Sequence, residues 1–241
     1  MNNDSRFIIE NMSKSFQQKD TLTIKKVLKN INLEISGSEI TVIVGKSGCG
    51  KTTFLRILAG LENISEGSIK FLDKNNTEKT AKIGMVFQEP RLMPWLTVEK
   101  NIRIHEKENK IDIDKILSLV SLKNIKNLHP NELSGGMASR VAIARAIGYE
   151  PDILLMDEPF AALDYFTRTQ LQNEIIKIHQ ETRMGIIFVT HNIDEALLIG
   201  EKIIVFNDGN CEEFKVEKNY PRDMGDSELL NMKKIILNRL L

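Results

Sequence analysis

The first ninety residues predict several strands and one short helix. Apolar and polar residues mostly alternate from Val27 to Ile35, which is the pattern of a half-buried strand. The run from Ile40 to Val44 is short, continuous and rich in β-branched residues, as expected for a strand buried on both faces. The same reasoning predicts three further strands and a helix, at 7–16, 67–72, 83–87 and 52–59. We therefore expect a sheet with a helix directly after its most buried strand.

The pattern becomes helical beyond residue 88 and returns to strands after residue 150. The middle of the chain has no convincing strand and three helical patterns, at 97–104, 111–120 and 134–147. Short apolar runs then alternate with helices, with strands predicted at 153–156, 185–189 and 202–206 and helices at 165–180 and 193–199. Strands that alternate with helices favour a parallel sheet with helices on its faces.

Two features follow the last of these strands. Asn207–Asp208–Gly209–Asn210 is typical of a hairpin turn. Residues 226–241 predict an amphipathic helix with one apolar stripe, formed by Leu229, Met232, Ile236 and Leu240. The sequence thus predicts an α/β fold with a discontinuous core at 1–88 and 150–215, a helical subdomain at 89–149 and a C-terminal amphipathic helix within 216–241.

Charge and cysteine content exclude several classes of protein. The 241 residues include 33 Lys and Arg and 33 Asp and Glu, and a net charge of zero argues against a surface that binds nucleic acid over its whole extent. Two cysteines cannot form a disulfide framework, so we expect a reducing compartment. No secretory leader is expected at residues 1–10, and every apolar run is far shorter than the roughly 18 residues of a membrane helix.

A glycine-rich loop that fits GxxxxGK[ST] follows the strand at 40–44. Phosphates need many converging N–H donors, which such a loop and the start of the next helix provide. We expect Lys51 to reach the β- and γ-phosphates, Thr52 to bind Mg²⁺, and the Cys49 thiol to be accessible. A chance glycine turn is the alternative, which the flanking strand and helix disfavour. The nucleotide-binding residues predicted here are Gly45, Lys46, Ser47, Gly48, Cys49, Gly50, Lys51, Thr52 and Thr53.

Two acids, Asp157 and Glu158, directly follow the apolar strand at 153–156. Ligands bind at the carboxyl edge of a parallel sheet, which is where this strand ends. We expect Asp157 to belong to the Mg²⁺ shell and Glu158 to orient or deprotonate an attacking water. Two solvated loop acids are the alternative, which the phosphate loop makes less attractive.

Other polar residues lie at predicted strand ends and helix starts. Gln88 follows the strand at 83–87, and His191 follows the strand at 185–189. Asp164 is either part of the site or the N-cap of the helix at 165–180. Ser134, Gly135 and Gly136 predict a capped helix start whose free N–H groups suit a phosphate. Because Lys51 already serves one side of the γ-phosphate, this second helix start suggests a phosphate presented by a partner copy.

These motifs resemble those of the ATP-binding subunits of ABC transporters, from Phe7 to about Phe206. The Walker A motif is GKSGCGKT, the signature is LSGGM, the Walker B motif is ILLMDE and the D-loop is AALD, with Gln88 as the Q-loop glutamine and His191 in the H-loop. The resemblance implies a P-loop NTPase (RecA-like) core with a mixed sheet, N-terminal antiparallel strands and a helical subdomain insertion. It also implies that Phe16, where the family usually has Tyr, stacks on the adenine of ATP.

The resemblance implies how this chain works with its partners. Two copies form a head-to-tail dimer in which Ser134 and Gly136 bind the γ-phosphate held by the Walker A loop of the other copy. His191 contacts that phosphate, and Gln88 links Mg²⁺ and water to a membrane permease. A solute-binding protein acts indirectly, no nucleic acid is involved, and the protein works at the cytoplasmic face of the membrane. The implied cofactors are ATP and Mg²⁺, and Glu158, His191 and Gln88 are the implied catalytic residues.

The segments FQEPRLMPWLTVEKNI, LSGGM and FVTHNIDEAL resemble the ATPases of nitrate, sulfonate and taurine importers. Three features depart from the common pattern: Met137 with Ala138–Ser139 after the signature, a short helical insert at 101–133, and a hairpin without Arg-Pro-Gly. Two alternatives remain at this point. One is an ABC-type ATPase that acts on ribosomes or DNA, which usually carries two cassettes, coiled coils or zinc modules. The other is a non-catalytic nucleotide switch, which the presence of Lys51, Asp157, Glu158 and His191 disfavours.

Overall fold

A computed structural model of the chain describes residues 5–17, 23–106, 110–161 and 163–240. The strands are β1 (Arg6–Gln17), β2 (Ile24–Ser36), β3 (Ile40–Gly45), β4 (Glu66–Leu72), β5 (Ile83–Val86), β6 (Ile153–Asp157), β7 (Gly185–Thr190), β8 (Lys202–Asn207) and β9 (Asn210–Lys215). The helices are α1 (Lys51–Leu58), α2 (Val98–Ile102), α3 (Ile113–Leu119), α4 (Gly135–Gly148), α5 (Tyr165–Thr182), α6 (Ile193–Ile199) and α7 (Ser227–Leu240). Short 3₁₀ turns lie at Arg103–His105 and Pro130–Glu132.

The strands form two sheets. The larger sheet has the order β5-β6-β7-β3-β8-β9, in which the first five strands are parallel and β9 runs antiparallel to β8. The smaller sheet has the order β2-β1-β4 and is antiparallel. A hydrogen bond of 2.8 Å from the Lys29 N–H to the Gly209 carbonyl joins β2 to the turn between β8 and β9. The predicted α/β fold, with its mixed sheet and N-terminal antiparallel strands, is confirmed.

The larger sheet separates two hydrophobic cores. β3 is buried along its whole length, as its continuous apolar pattern predicts. Ile40, Val42 and Val44 belong to the core under the helices α4 to α7, whereas Ile43 faces the other core. That second core is filled by α1 and the smaller sheet, with Phe54 at its centre. Successive side chains of β3 point to opposite faces of the larger sheet, so helices cover one face and α1 with the smaller sheet covers the other. The phosphate loop emerges between these two layers.

Several predicted boundaries shift for local reasons. The pattern predicted that Val27 would be buried in β2, but Leu28 is buried in its place. A bulge with Asn30 in a left-handed conformation (φ 51°) changes the alternation there. The helix predicted at 97–104 ends at Ile102 and continues as a 3₁₀ turn, and the helix predicted at 111–120 begins at Ile113, after the N-cap Asp112. The predicted stripe of the C-terminal helix lies against the core, with Leu229, Ile236 and Leu240 buried and Met232 half-buried.

Some predictions concern residues outside the described ranges. These are the absence of a leader at 1–4, part of the short insert at 107–109, Ala162 of the D-loop and the last residue of the C-terminal helix. The predicted domain boundaries stay predictions, although α2 and α3 of the segment 89–149 both pack on α4. No helix within the described ranges has both the length and the apolar composition needed to cross a bilayer.

Candidate nucleotide-binding and hydrolysis site

The order of the larger sheet brings four distant segments together at one edge. The strands β5, β6, β7 and β3 are neighbours in that order and run in parallel, so their carboxyl ends lie side by side. These ends lead to Gln88, to Asp157 and Glu158, to His191 and to the loop 45–50. The site residues predicted from separate strand ends therefore lie along one edge of one sheet.

The phosphate loop depends on glycine where its backbone turns into α1. Gly50 has φ 109°, and a Cβ atom there would lie 2.8 Å from the Leu28 side chain. Both the left-handed backbone and the close approach of β2 therefore require glycine. The Gly50 carbonyl accepts the N–H of Phe54 at 2.8 Å, which starts the helix. The first turn of α1 carries no acidic residue, so its N–H groups and dipole favour an anion.

Lys51 is held inside the loop that it follows. Its side chain is buried, and Nζ donates to the carbonyl oxygens of Gly45 at 2.7 Å and Lys46 at 2.9 Å. These two bonds lead back across the loop and hold the ammonium beside its backbone. A phosphate bound by the N–H groups of this loop would meet a positive charge that is already ordered.

Thr52 and Asp157 bring two hard oxygen donors together. The Thr52 hydroxyl donates to Asp157 Oδ1 at 3.2 Å, which links α1 to the end of β6. Burial raises the pKa of Asp157, and the hydrogen bond from Thr52 and the charge of Lys51 act in the opposite direction. A bound cation would relieve this cost of burying a carboxylate. Hydroxyl and carboxylate oxygens are the donors that Mg²⁺ prefers, so this pair fits the expected ion.

The protein supplies few further ligands for a cation. Within the ranges that the structure describes, no group of three or more His, Cys, Asp or Glu side chains converges to hold a metal. A hard cation at Thr52 and Asp157 would thus take its other ligands from phosphate oxygens and water. This is how Mg²⁺ is commonly bound at nucleotide sites.

Glu158 and His191 are paired across the ends of two strands. Glu158 adopts a left-handed backbone conformation (φ 46°), which costs a non-glycine residue about 1 kcal/mol. Its N–H donates to the Val189 carbonyl at 3.1 Å, and its Oε2 lies 3.2 Å from His191 Nδ1. The strained turn is stabilised by these bonds and points the carboxylate along the sheet edge. A carboxylate held in this way can accept a proton from a nearby water.

Sequence reasoning missed a buried polar pair behind His191. The Thr190 hydroxyl donates to Glu195 Oε2 at 2.5 Å and accepts the N–H of Asn192 at 3.1 Å. Burial raises the pKa of Glu195, and bonding to Thr190 opposes this. With Glu158, Arg168 and neighbours, these residues line a cavity of about 60 Å³. A signal was present in the sequence, because Glu195 lies among the apolar positions 193, 196, 197 and 199 of one short helix.

Asp164 caps α5, which is one of the two possibilities that the sequence left open. Its carboxylate accepts the Thr167 N–H at 3.1 Å and the Thr167 hydroxyl at 2.6 Å. The bonds from Thr167 hold the pKa of Asp164 below its ordinary value. Both oxygens are therefore engaged within the chain, and a contact of Asp164 with nucleotide stays a prediction.

The signature turn, which consists of Ser134, Gly135 and Gly136, forms a capped helix start, as predicted. Ser134 Oγ accepts the Met137 N–H at 3.3 Å, and α4 begins at Gly135. The two glycines differ in their surroundings. A Cβ atom on Gly135 would meet open space, whereas one on Gly136 would lie 2.7 Å from the Thr167 methyl group. The turn is thus open on the Gly135 side and pressed against α5 on the Gly136 side.

The remaining predicted residues lie near the edge of the site. Gln88 is exposed, two residues beyond the end of β5. Phe16 lies in β1 and is 38% exposed as a residue, and Lys14 Nζ is 4.7 Å from the ring centroid. Cys49 is half-buried, and burial raises the pKa of its thiol although the charge of Lys51 opposes this. Stacking of Phe16 on adenine stays a prediction.

Comparison with known proteins places this site in a known family. The family model for ABC transporters matches residues 28–161. An uncharacterized ABC transporter ATP-binding protein of Methanocaldococcus jannaschii is 42% identical over 242 residues, which cover 96% of this chain and 90% of that protein. The aliphatic sulfonates import ATP-binding protein SsuB of Bacillus cereus is 40% identical over 238 residues, which cover 96% of this chain and 94% of that protein.

A solved structure is similar in both fold and sequence. It is a dimeric, post-hydrolysis state of the ATP-binding cassette MJ0796 bound to ADP and Pi. The two chains superpose with a TM-score of 0.74 at 32% identity, over 88% of this chain and 100% of that one. Because the family model spans more than half of the sequence and these relatives span nearly all of it, the chain belongs to the ABC transporter family, as one of its ATP-binding cassettes.

Proposed function

We propose that this chain is the ATP-hydrolysing subunit of an importer and that it drives a membrane permease for a small organic anion, in particular an aliphatic sulfonate. The observation that carries the ATPase activity is the convergence at one sheet edge of the phosphate loop, the Thr52–Asp157 pair and the Glu158–His191 pair. Relatives named for aliphatic sulfonate import support the solute class, at 40% identity over 96% of this chain.

Each residue at the sheet edge has its own role in the hydrolysis of ATP. The N–H groups of the loop 45–52, with the Lys51 ammonium, bind the triphosphate. Thr52 and Asp157 hold Mg²⁺, with Gln88 as a further oxygen donor, and the ion supplies charge neutralisation at the β- and γ-phosphates. Glu158 accepts a proton from the water that attacks the γ-phosphate, and His191 holds that carboxylate and contacts the phosphate.

A second copy of the chain completes each site. The open turn at Ser134 and Gly135 offers N–H donors and a helix dipole to an anion, yet within the described residues no hydrogen bond joins it to the phosphate loop of its own chain. In the proposed dimer this turn binds the γ-phosphate held by the partner copy. The dimeric state of the 32% identical cassette supports this arrangement.

The permease docks on the loop 89–96, beside Gln88. The buried side chain of Asn101 holds this loop from below: Oδ1 accepts the Met93 N–H at 2.8 Å, and Nδ2 donates to the carbonyl oxygens of Met93 and Leu96 at 3.1 Å each. Trp95 is 71% exposed on the resulting hydrogen-bonded loop, so most of its surface is open to a partner. A large exposed aromatic side chain on an ordered loop suits a protein interface. This docking places the chain at the cytoplasmic face of the membrane.

The ATPase activity is tested with the purified chain. We expect hydrolysis of ATP that requires Mg²⁺ and that Lys51→Ala abolishes together with ATP-dependent dimerisation, because the substitution removes the buried ammonium under the phosphates. Lys70→Ala, an exposed lysine on β4, serves as the matched control and keeps both properties. A dimer that still forms on ATP with Lys51→Ala would show that the phosphate loop is assigned wrongly.

Import is tested separately, with a candidate permease from the same organism. We expect the two to copurify, and we expect an aliphatic sulfonate, delivered by its binding protein, to stimulate ATP hydrolysis in proteoliposomes. Trp95→Ser should weaken copurification without changing hydrolysis by the isolated cassette. Stimulation by an unrelated solute and not by sulfonates would contradict the solute class while leaving the ATPase activity intact.

A further inference from the structure

The N-terminal ends of α4 and α5 touch at one point. Gly136, in the first turn of α4, faces the methyl group of Thr167, in the first turn of α5, so closely that a Cβ atom on the glycine would lie 2.7 Å from that methyl carbon. Among the described residues, leaving aside the backbone of α4 and the chain neighbours of Gly136, the other atom that this Cβ would approach within 4 Å is the Cβ of the same threonine, at 4.0 Å. Gly136 therefore lies directly against the side chain of Thr167.

The same threonine is anchored on its other side to the loop that carries Glu158. Its hydroxyl donates to Asp164 Oδ2 at 2.6 Å, and its N–H donates to Asp164 Oδ1 at 3.1 Å. Asp164 lies six residues after Glu158. The loop between them is tied internally, because the Ala161 N–H donates to the Glu158 carbonyl at 3.2 Å and the Leu163 N–H donates to the Phe160 carbonyl at 3.2 Å.

Farther along the two helices, an ion pair fixes their relative position. Arg140 Nε donates to Glu174 Oε2 at 2.9 Å, and Arg140 Nη2 donates to Gln170 Oε1 at 3.1 Å. The side chains of Arg140 and Glu174 are only 14% and 10% exposed. The helix bodies are therefore tied at this point, and Thr167 lies against Gly136 at their N-terminal ends.

We propose that Thr167 is a positioning residue that couples the Glu158 loop of one nucleotide site to the signature turn that serves the other site. This inference rests on the proposed function, because the signature turn acts on a nucleotide held by a second copy. The hydroxyl anchors Thr167 to the Glu158 loop, and the methyl group contacts Gly136. Loss of either group weakens the coupling between the two sites, while each phosphate loop keeps its own contacts.

The first test compares the same threonine-to-valine substitution at two positions of α5. Thr167→Val keeps the methyl contact and the N–H bond to Asp164 Oδ1, and it removes the hydroxyl bond to Asp164 Oδ2. Thr169→Val is the matched control, since the Thr169 hydroxyl donates to the Tyr165 carbonyl of its own helix, at 2.9 Å. We expect Thr167→Val to raise the ATP concentration for half-maximal dimerisation roughly tenfold in a Glu158→Gln background and to reduce the Hill coefficient of hydrolysis in the otherwise unchanged chain. Binding of a fluorescent ATP analogue to the monomer stays unchanged.

The second test exchanges volume across the contact. Gly136→Ala adds a methyl group against Thr167 and should impair dimerisation. Thr167→Ser removes the methyl carbon that this group would meet, so the double variant should dimerise better than Gly136→Ala alone. The melting temperature of the nucleotide-free protein tests whether Thr167 contributes only to folding. We expect Thr167→Val and Thr169→Val to have the same melting temperature.

The outcomes distinguish this inference from the proposed function. Failure of the unsubstituted chain to bind or hydrolyse ATP would overturn the proposed function. Normal binding and hydrolysis by that chain, with Thr167→Val equal to Thr169→Val in dimerisation and Hill coefficient, would overturn the role of Thr167 alone. Absence of rescue in the double variant would likewise contradict the contact as the coupling element.

Discussion

Nδ1 of His191 lies 3.2 Å from Oε2 of Glu158, although the two residues follow different strands and are 33 positions apart. The contact is possible because β6 and β7 are parallel neighbours that end at the same level, with Asp157 opposite Val189. The imidazole can therefore hold the carboxylate in one orientation at the sheet edge. The separate roles of the residues at this site can be tested by substitution.

Glu158→Gln should lower ATP turnover by at least two orders of magnitude and trap an ATP-bound dimer. The amide cannot accept a proton from the attacking water, whereas the phosphate loop and the Thr52–Asp157 pair are unchanged. Steady-state hydrolysis and size-exclusion chromatography with light scattering measure the two effects. Glu181→Gln, an exposed acid near the end of α5, is the control and should behave like the unsubstituted protein. Unchanged turnover of Glu158→Gln would leave Glu158 without the proposed role.

Ser134→Arg should abolish hydrolysis and dimerisation while ATP still binds to the monomer. The bulky cation replaces the N-cap of α4 and fills the open side of the signature turn, which in the proposed dimer faces the partner's phosphate. Titration with a fluorescent ATP analogue measures monomer binding, and Ser118→Arg on the exposed side of α3 is the matched control. Loss of monomer binding in Ser134→Arg would mean that the turn acts on the nucleotide of its own chain.

The stability of the fold should depend on His179. Its ring is buried, Nδ1 lies 2.9 Å from the Met184 carbonyl and Nε2 lies 3.3 Å from Glu201 Oε2, so both nitrogens face oxygen acceptors. Burial acts to lower the pKa of His179, but the bonds to Glu201 and Met184 outweigh it and raise the pKa above the ordinary 6.5. The pKa of Glu201 is lowered below 4.5, since the bonds to His179 and to the Ile40 N–H outweigh its burial.

The pH dependence follows from the directions of these shifts. The contribution of His179 is fully present below its ordinary pKa of 6.5 and is lost as the pH rises through the higher pKa of the folded state. The contribution of Glu201 is present above 4.5 and is lost as the pH falls. Urea unfolding from pH 5 to pH 9 should therefore show that His179→Gln costs about 2 kcal/mol at the acid end and less at the alkaline end. An equal cost across that range would contradict a protonated His179.

Alkylation of Cys49 should block ATP binding. The thiol lies within the phosphate loop and is half-buried, and its raised pKa makes the reaction with N-ethylmaleimide slow at neutral pH and faster as the pH rises. ATP should protect the protein, and Cys49→Ser should bind ATP and resist the reagent. Burial raises the pKa of Cys211 to about 11, so the remaining thiol in that variant should react poorly. Inactivation of Cys49→Ser at the original rate would assign the effect to another residue.

Local sequence patterns predicted the elements and the chemistry of the site. The continuous run from Ile40 to Val44 required a strand buried on both faces, and the glycine at position 50 required a left-handed turn into a helix. Asp157 and Glu158 were found because two acids after an apolar strand must emerge at its end. Such inferences succeed because side-chain period and backbone freedom act over a few residues.

Only the tertiary structure shows which of these residues contact one another. The sequence around Asp164 was compatible with either a cap or a ligand, and the structure shows that Thr167 engages both carboxylate oxygens. Glu195 was overlooked although Thr190 is only five residues away, because their hydrogen bond depends on how the chain turns from β7 into α6. The contact of Gly136 with Thr167 joins segments 31 residues apart, which no local pattern encodes. Periodicity specifies which face of an element is buried, whereas the order of the strands and the packing of helices on the sheet determine which faces meet.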